Sequence, residues 1–196
     1  MGKLAVIAFG RMAPVTIGHR RLAERVAAIA ADRGGDPLLF LSKTYDGYRG
    51  RPRANRRPSY RTPKNPLRYE EKLRFVRDAL GDLVTVAEGD YSDIFSVLRL
   101  LNSKGYDRVV IVGDGGFIAR LFAAYNGVEY SYASIETELS GLRDGSSADP
   151  ITSVSATQVR EAVRRNDYST FRRLVATRAT TGELWATLRE ELEPEA

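Results

Sequence analysis

A short stretch near the amino terminus carries the first residues whose types and spacing suit chemistry. In Gly10-Arg11-Met12-Ala13-Pro14-Val15-Thr16-Ile17-Gly18-His19, a hydroxyl and an imidazole stand three residues apart. A glycine turn lets the main chain approach a ligand closely, and a helix that begins here presents free N–H groups to an anion. The pattern predicts a phosphate-binding turn with His19 as an added donor. The alternative is a plain turn in which Thr16 caps a helix and His19 lies on the surface.

A second stretch, late in the chain, has the same character. Val154-Ser155-Ala156-Thr157-Gln158-Val159-Arg160 opens a helical pattern with two hydroxyls and an arginine. Ser155 and Thr157 are suited to cap a helix whose N–H groups, together with Arg160, face a polyphosphate. The alternative is a capped helix with a surface arginine.

Together the two stretches resemble the nucleotidylyltransferase superfamily, which includes nicotinamide mononucleotide, phosphopantetheine and cytidylyl transferases. The first is similar to the (T/H)xGH signature, with Thr16 where the commoner form has histidine. The second resembles Ile-Ser-(Ser/Thr)-Thr-x-x-Arg, with Ala156 in place of a hydroxyl. Weaker similarities are Val112-Gly113-Asp114 and the run from Lys64 to Lys72, which looks like small phage-encoded and bacterial members.

The resemblance implies transfer of a nucleoside monophosphate from a nucleoside triphosphate to a phosphorylated small-molecule acceptor, with release of pyrophosphate. AMP from ATP, with an acceptor such as nicotinamide mononucleotide, is the first expectation. The acceptor oxygen attacks the α-phosphorus directly, which agrees with a chain that has no cysteine and one histidine. Mg²⁺ is expected to be carried by the triphosphate, so no protein metal ligands are predicted.

The resemblance also implies roles for individual residues. Thr16, His19 and Arg160 are the expected catalytic residues, the first two near the α-phosphate and Arg160 on the outer phosphates. The expected nucleotide-binding residues are Phe9, Gly10, Arg11, Gly18, His19, Gly113, Ser155, Thr157 and Arg160. The expected acceptor-binding residues are Arg11, Lys43, Lys64 and Asp114. Asp114, at a strand end, is equally suited to cap a helix.

One basic segment accounts for the positive charge of the chain. The formal charge is +5 in total, but residues 42–68 carry +8 and the remainder −3. This segment is rich in proline, glycine and tyrosine, and its length departs from the compact members of the superfamily. Three interpretations stay open: a lid over the acceptor, an arm that grips single-stranded nucleic acid through arginine and tyrosine, and a solvated loop.

Strands and helices alternate along the chain, as the hydrophobic period and the glycine punctuation indicate. Strands are predicted at 3–9, 38–41, 83–87, 108–112 and 128–133; helices at 18–32, 68–80, 93–103, 117–125, 156–164, 168–175 and 181–192. This order predicts a Rossmann-like, doubly wound α/β fold with a parallel five-stranded sheet and a helical C-terminal extension. Residues 1–165 would form the catalytic domain, with a basic insertion at about 43–66, and residues 166–196 a tail packed on it. Ligands bind beyond the carboxyl ends of strands in such sheets.

Composition excludes several classes of protein. Hydrophobic residues make up 43% and charged residues 28%, as in folded globular proteins, and the lack of cysteine excludes disulfides and zinc-thiolate sites. The short apolar run at the amino terminus does not fit a secretory signal, so a cytoplasmic protein without a membrane partner is predicted. Two alternatives stay open: a CTP-dependent cytidylyltransferase, and a non-catalytic nucleotide- or nucleic-acid-binding protein on the same fold. The sequence also leaves self-association as a homo-oligomer open.

Overall fold

The architecture comes from a computed structural model of the chain, which describes residues 2–42, 65–113, 116–140 and 154–192, except for the side chains of 116–120. The strands are β1 (Lys3–Gly10), β2 (Asp36–Ser42), β3 (Thr85–Tyr91), β4 (Tyr106–Val112) and β5 (Ser134–Glu138). The helices are α1 (Ile17–Arg33), α2 (Tyr69–Leu80), α3 (Ile94–Ser103), α4 (Gly116–Tyr125), α5 (Ala156–Arg164), α6 (Tyr168–Leu174) and α7 (Thr181–Leu192). Within these ranges, no helix combines the length and the apolar character needed to cross a membrane. Lys43, Lys64, Asp114 and most of the basic segment lie outside the described residues.

The five strands form one all-parallel sheet in the order β3-β2-β1-β4-β5. From β1 the chain moves outward to β2 and β3, then crosses back to β4 on the other side of β1. The strand order therefore reverses between β1 and β4, which is where such sheets bind ligands beyond their carboxyl ends. The predicted parallel α/β sheet is confirmed.

Alternate residues of β1 point into two different cores, because successive side chains of a strand face opposite ways. Leu4, Val6 and Ala8 join the core formed with α1 and α2. Ala5 and Ile7 join the core formed with α3 and α4. Helices cover both faces of the sheet, so the doubly wound arrangement is confirmed.

The three C-terminal helices extend the first of these cores. Phe171, Leu184 and Leu188 are fully buried among the residues that α1 and α2 contribute. The end of α6 also returns to the start of α1, because Val175 forms an antiparallel bridge with Thr16. The three tail helices therefore pack in the same core as α1 and α2.

The fifth strand lies later than predicted, at Ser134–Glu138 and not at 128–133. Residues 126–133 alternate in a strand-like way, but they form a turn in which Asn126 exchanges hydrogen bonds with the main chain of Tyr132. Tyr130 and Tyr132 are buried in the core with α3 and α4, where their hydroxyls donate to the carbonyls of Phe122 and Leu98. The true strand is polar, since it forms the sheet edge.

Packing of the tail into the main core predicts that Phe171→Ala destabilises the whole protein. Removal of a fully buried phenylalanine costs about 3–5 kcal/mol. Trp185, the single tryptophan, lies 4.9 Å from the Phe171 ring, so its fluorescence reports the tail during denaturant unfolding, while circular dichroism reports the sheet. The unfolding transitions followed by fluorescence and by circular dichroism should shift together to a lower denaturant concentration. The exposed neighbour Arg172→Ala is the control, with a change within about 0.5 kcal/mol; separate transitions would contradict a shared core.

Candidate functional site

Two helix starts are fixed by reciprocal capping at the carboxyl edge of the sheet. At α1, the Thr16 Oγ1 accepts from the His19 N–H at 3.3 Å, and the His19 Nδ1 accepts from the Thr16 N–H at 3.0 Å. At α5, Ser155 and Gln158 make the same exchange, at 3.4 Å and 2.7 Å. Helix geometry leaves the first N–H groups of each helix without an intrahelical acceptor. Both starts therefore offer donors and positive dipole ends to an anion.

The two helix starts touch each other through the carbonyl of Val154. Thr16 donates its hydroxyl hydrogen to this oxygen at 3.4 Å. A Cβ built on Gly18 would lie 2.9 Å from the same oxygen, closer than real side chains approach a backbone atom. Gly18 is thus the residue that lets α5 begin directly against α1. The two sequence stretches predicted to act together are neighbours in space.

Thr16 lies beneath the site and not at its surface. Its exposed fraction is 0%, and its hydroxyl is occupied by the His19 N–H and the Val154 carbonyl. This differs from the phosphate contact that the resemblance implied, because an N-cap hydroxyl already serves the helix it begins. Thr16 orients His19 and anchors α5.

The hydrogen bonds of His19 fix which ring nitrogen carries the proton. Because a main-chain N–H can only donate, Nδ1 must be the acceptor, and the neutral ring holds its proton on Nε2. Burial lowers the pKa of His19 to about 4, since desolvation disfavours the imidazolium. Among the described residues no partner occupies Nε2. His19 is therefore a neutral donor at physiological pH.

Arg160 is a buried cation held by neutral partners. Only 7% of its surface is exposed, and its guanidinium donates to the Ala13 carbonyl at 2.7 Å and to the Thr157 Oγ1 at 3.1 Å. Burial lowers its pKa, and the positive charges of Arg164 and Arg11 lower it further. No carboxylate of the described residues pairs with it. Thr157, expected as a cap or phosphate ligand, orients Arg160 in this structure.

The loop that carries Ala13 has an unusual backbone. Met12 adopts φ 46°, a left-handed conformation that is rare for residues other than glycine, and its side chain is buried. The following Ala13-Pro14 peptide bond is cis. The Ala13 carbonyl accepts from the Arg160 guanidinium.

Lys72 is a second buried cation, and the sequence reasoning did not assign it a role. It is 1% exposed, and its Nζ donates to the carbonyl of Ser42, the last residue of β2, at 2.8 Å. Burial lowers the pKa of Lys72 to about 8, and the charge of Arg11 adds to this effect. The signal was its position on the apolar stripe of α2, between Tyr69 and Val76, where a lysine is out of place.

The other predicted residues lie along the same edge. Gly10 ends β1, Arg11 is exposed directly after it, and Phe9 packs partly buried over the α3 and α4 core. Gly113 follows β4 and donates its N–H to the Glu138 carbonyl at 2.9 Å. A Cβ on Gly113 would meet none of the described residues within 4 Å.

Comparison with known proteins adds no assignment. A scan against protein-family models finds no match to this chain, and a search of the curated proteins finds none either. The interpretation of the site rests on its residues and their geometry.

The contact between the helix starts predicts opposite results for two matched glycines. Gly18 and Gly182 are each the second residue of a helix, α1 and α7. Gly182→Ala should stabilise by about 0.5–1 kcal/mol, because alanine favours the helix and nothing lies within 4 Å of the new Cβ. Gly18→Ala should destabilise by about 1–3 kcal/mol, because the Val154 carbonyl must move. Denaturant unfolding measures both; a stabilising Gly18→Ala would show that α5 does not abut α1.

The single histidine permits a direct test of the His19 state by nitrogen NMR. We expect the Nε2–H tautomer at neutral pH and a pKa of about 4. The unfolded chain, with a histidine pKa near ~6.5, then binds more protons below neutrality, so stability is full above about pH 6.5 and falls toward pH 4. Added pyrophosphate should raise the pKa. An Nδ1–H tautomer, or a pKa of ordinary value, would contradict the capping geometry.

Proposed function

We propose that the protein is a nucleotidylyltransferase that transfers a nucleoside monophosphate, AMP from ATP, to a phosphorylated small-molecule acceptor. One observation carries the proposal: the buried Arg160 has no carboxylate partner among the described residues and lies beside two abutting helix starts. A buried charge without a counter-ion is costly unless a ligand supplies one. The site therefore suits a strongly anionic ligand.

The kinds of donor present favour a polyphosphate over a single carboxylate. Arg160 offers a planar fork, His19 a neutral N–H, and the starts of α1 and α5 main-chain N–H groups. These donors come from two chain segments that meet at the Val154 carbonyl, so several phosphate oxygens can be bound at once. Since the donors are N–H groups and not oxygen ligands, Mg²⁺ is proposed to arrive with the triphosphate, as part of the substrate.

The proposed reaction needs no protein nucleophile. An oxygen of the acceptor phosphate attacks the α-phosphorus, a new phosphoanhydride bond forms, and the bond to the β-phosphate oxygen breaks. Pyrophosphate leaves with that electron pair, and no proton has to be removed from an anionic acceptor. His19 donates through Nε2–H to the α-phosphate, while Arg160 and the α5 start bind the leaving phosphates. Catalysis is then positioning and charge stabilisation.

A pyrophosphate-release screen tests the proposal. Each of the four nucleoside triphosphates is incubated with Mg²⁺ and a panel of phosphomonoesters, beginning with nicotinamide mononucleotide, and we expect acceptor-dependent release with ATP. Release with CTP alone would identify a cytidylyltransferase instead. Tight triphosphate binding with no release from any pair would overturn the enzymatic proposal and favour a nucleotide-binding protein.

His19→Asn separates the proposed catalytic donor from the helix cap. The asparagine Oδ1 can accept from the Thr16 N–H in place of Nδ1, but the Nε2–H donor is lost. Turnover should fall about 10²–10³-fold with little change in stability, as for loss of one preorganised donor. His19→Ala should lose the same turnover and also about 0.5–1 kcal/mol of stability, because the cap is broken. Wild-type turnover in His19→Asn, measured by pyrophosphate release, would remove His19 from the reaction.

A further inference from the structure

Lys72 is a charge that the triphosphate interactions do not use. It stands on the β2 side of the site, with its Nζ 2.8 Å from the Ser42 carbonyl, whereas Arg160 binds the Ala13 carbonyl beyond β1. Each buried cation is thus held by a different loop end. Lys72 reaches the end of β2 from α2, and Arg160 reaches the loop after β1 from α5.

Arg11 lies close to both of these cations. Gly10 pairs with Leu41 in the sheet, so Arg11 and Ser42 are the residues that follow this pair. Adjacent strands run about 4.8 Å apart, which brings Arg11 alongside the carbonyl that holds Lys72. Arg11 is exposed, two residues before the carbonyl that holds Arg160. Its charge lowers the pKa of both Lys72 and Arg160, as expected for a group close to each.

We propose that Arg11 and Lys72 form a second anion subsite, on the β2 side of the triphosphate, which binds a dianionic phosphate group of the acceptor. This inference rests on the proposed function for the identity of the ligand. Arg11 contacts the phosphate, and Lys72, which is 1% exposed, acts as a fixed positive charge beneath it. Lys72 is therefore a positioning residue and not a catalytic one.

Among the described residues around Lys72, none carries a negative charge that pairs with it. The Ser42 carbonyl faces it from β2 and Arg11 from the loop after β1. Tyr69, one turn earlier on α2, accepts from the Gly89 N–H of β3 through its hydroxyl. Across the described ranges no carboxylate pairs with Lys72. Two of its three hydrogens have no partner in those ranges, and its charge stays available to a nearby anion.

The expected loss of affinity on removal of Lys72 follows from the effective dielectric constant of a partly buried site. Two unit charges several ångströms apart interact strongly at an effective dielectric constant of about 20. Removing Lys72 should weaken the binding of a dianion by about 10- to 100-fold. The same removal should raise stability, because a buried cation without a counter-ion is replaced by an apolar side chain.

Calorimetry with inorganic phosphate tests the subsite on the full chain. Phosphate should bind both to the free protein and to protein saturated with Mg²⁺ and α,β-methylene ATP, which cannot be cleaved at the α–β bridge. Lys72→Met should weaken phosphate about 10- to 100-fold in both states and raise the melting temperature. Arg160→Gln should weaken the analogue more than phosphate. The exposed Lys104→Met, on a surface turn, is the control and should change neither.

A pH series distinguishes the charge of Lys72 from a packing effect. Above pH 8 phosphate stays dianionic, while Lys72 loses its proton. Wild-type affinity for phosphate should fall between pH 8 and pH 10, and Lys72→Met should show no such fall. Unchanged phosphate affinity in Lys72→Met, or displacement of phosphate by the analogue, would overturn the second subsite. Failure of the analogue to bind would count against the proposed function, while phosphate binding to the free protein would still decide the subsite.

Discussion

The close contact between Gly18 and the carbonyl of Val154 is the constraint on which the site depends. It joins the start of α1 (Ile17), which follows the central strand, to the start of α5 (Ala156), which lies 139 residues later. Thr16 strengthens the contact from the α1 side and is itself held by Val175 of the tail. A side chain at position 18 would separate the two positive helix ends. The absence of a Cβ at position 18 therefore sets the distance between the two helix starts and their main-chain N–H groups.

The site is organised at a cost in stability. Lys72 and Arg160 are buried with neutral partners, and Arg11 places a further positive charge close to both. Without a bound anion such buried cations are unfavourable, and variants with apolar residues of similar size in their place are commonly more stable. The two cores on either side of the sheet, the first of them extended by the tail helices, offset this cost. The arrangement is understandable if an anionic ligand completes it, which is the common relation between stability and function at binding sites.

The sequence predicts the fold well because the spacing of hydrophobic residues and the glycines that end helices and strands are local signals. Glycines and short apolar runs located four of the five strands and all the described helices, to within a few residues. The predicted position of the fifth strand is wrong because the buried tyrosines of a turn imitate strand alternation. The true edge strand is polar, and its Glu136 and Glu138 pair with Arg33.

The roles of single side chains are harder to predict from the sequence than the fold. Thr16 and Thr157 have hydroxyls suited to a helix cap or a phosphate, but only tertiary contacts show that each orients another residue. Lys72 was missed because a lysine is assumed to be solvated unless its helix face is considered.

The state of His19 shows how the fold sets chemistry beyond the residue type. The Thr16 N–H occupies Nδ1, so the proton must stay on Nε2, the nitrogen left for a ligand. A second proton is disfavoured by desolvation of the ring, and the neighbouring helix end adds to this because its dipole is positive. The imidazole consequently remains one neutral donor across the range in which a free histidine titrates. A donor of this kind stabilises charge that develops on a phosphate oxygen without carrying a charge that must itself be desolvated. The pH dependence of the proposed reaction is therefore expected to follow groups with higher pKa values than His19, Lys72 foremost among them.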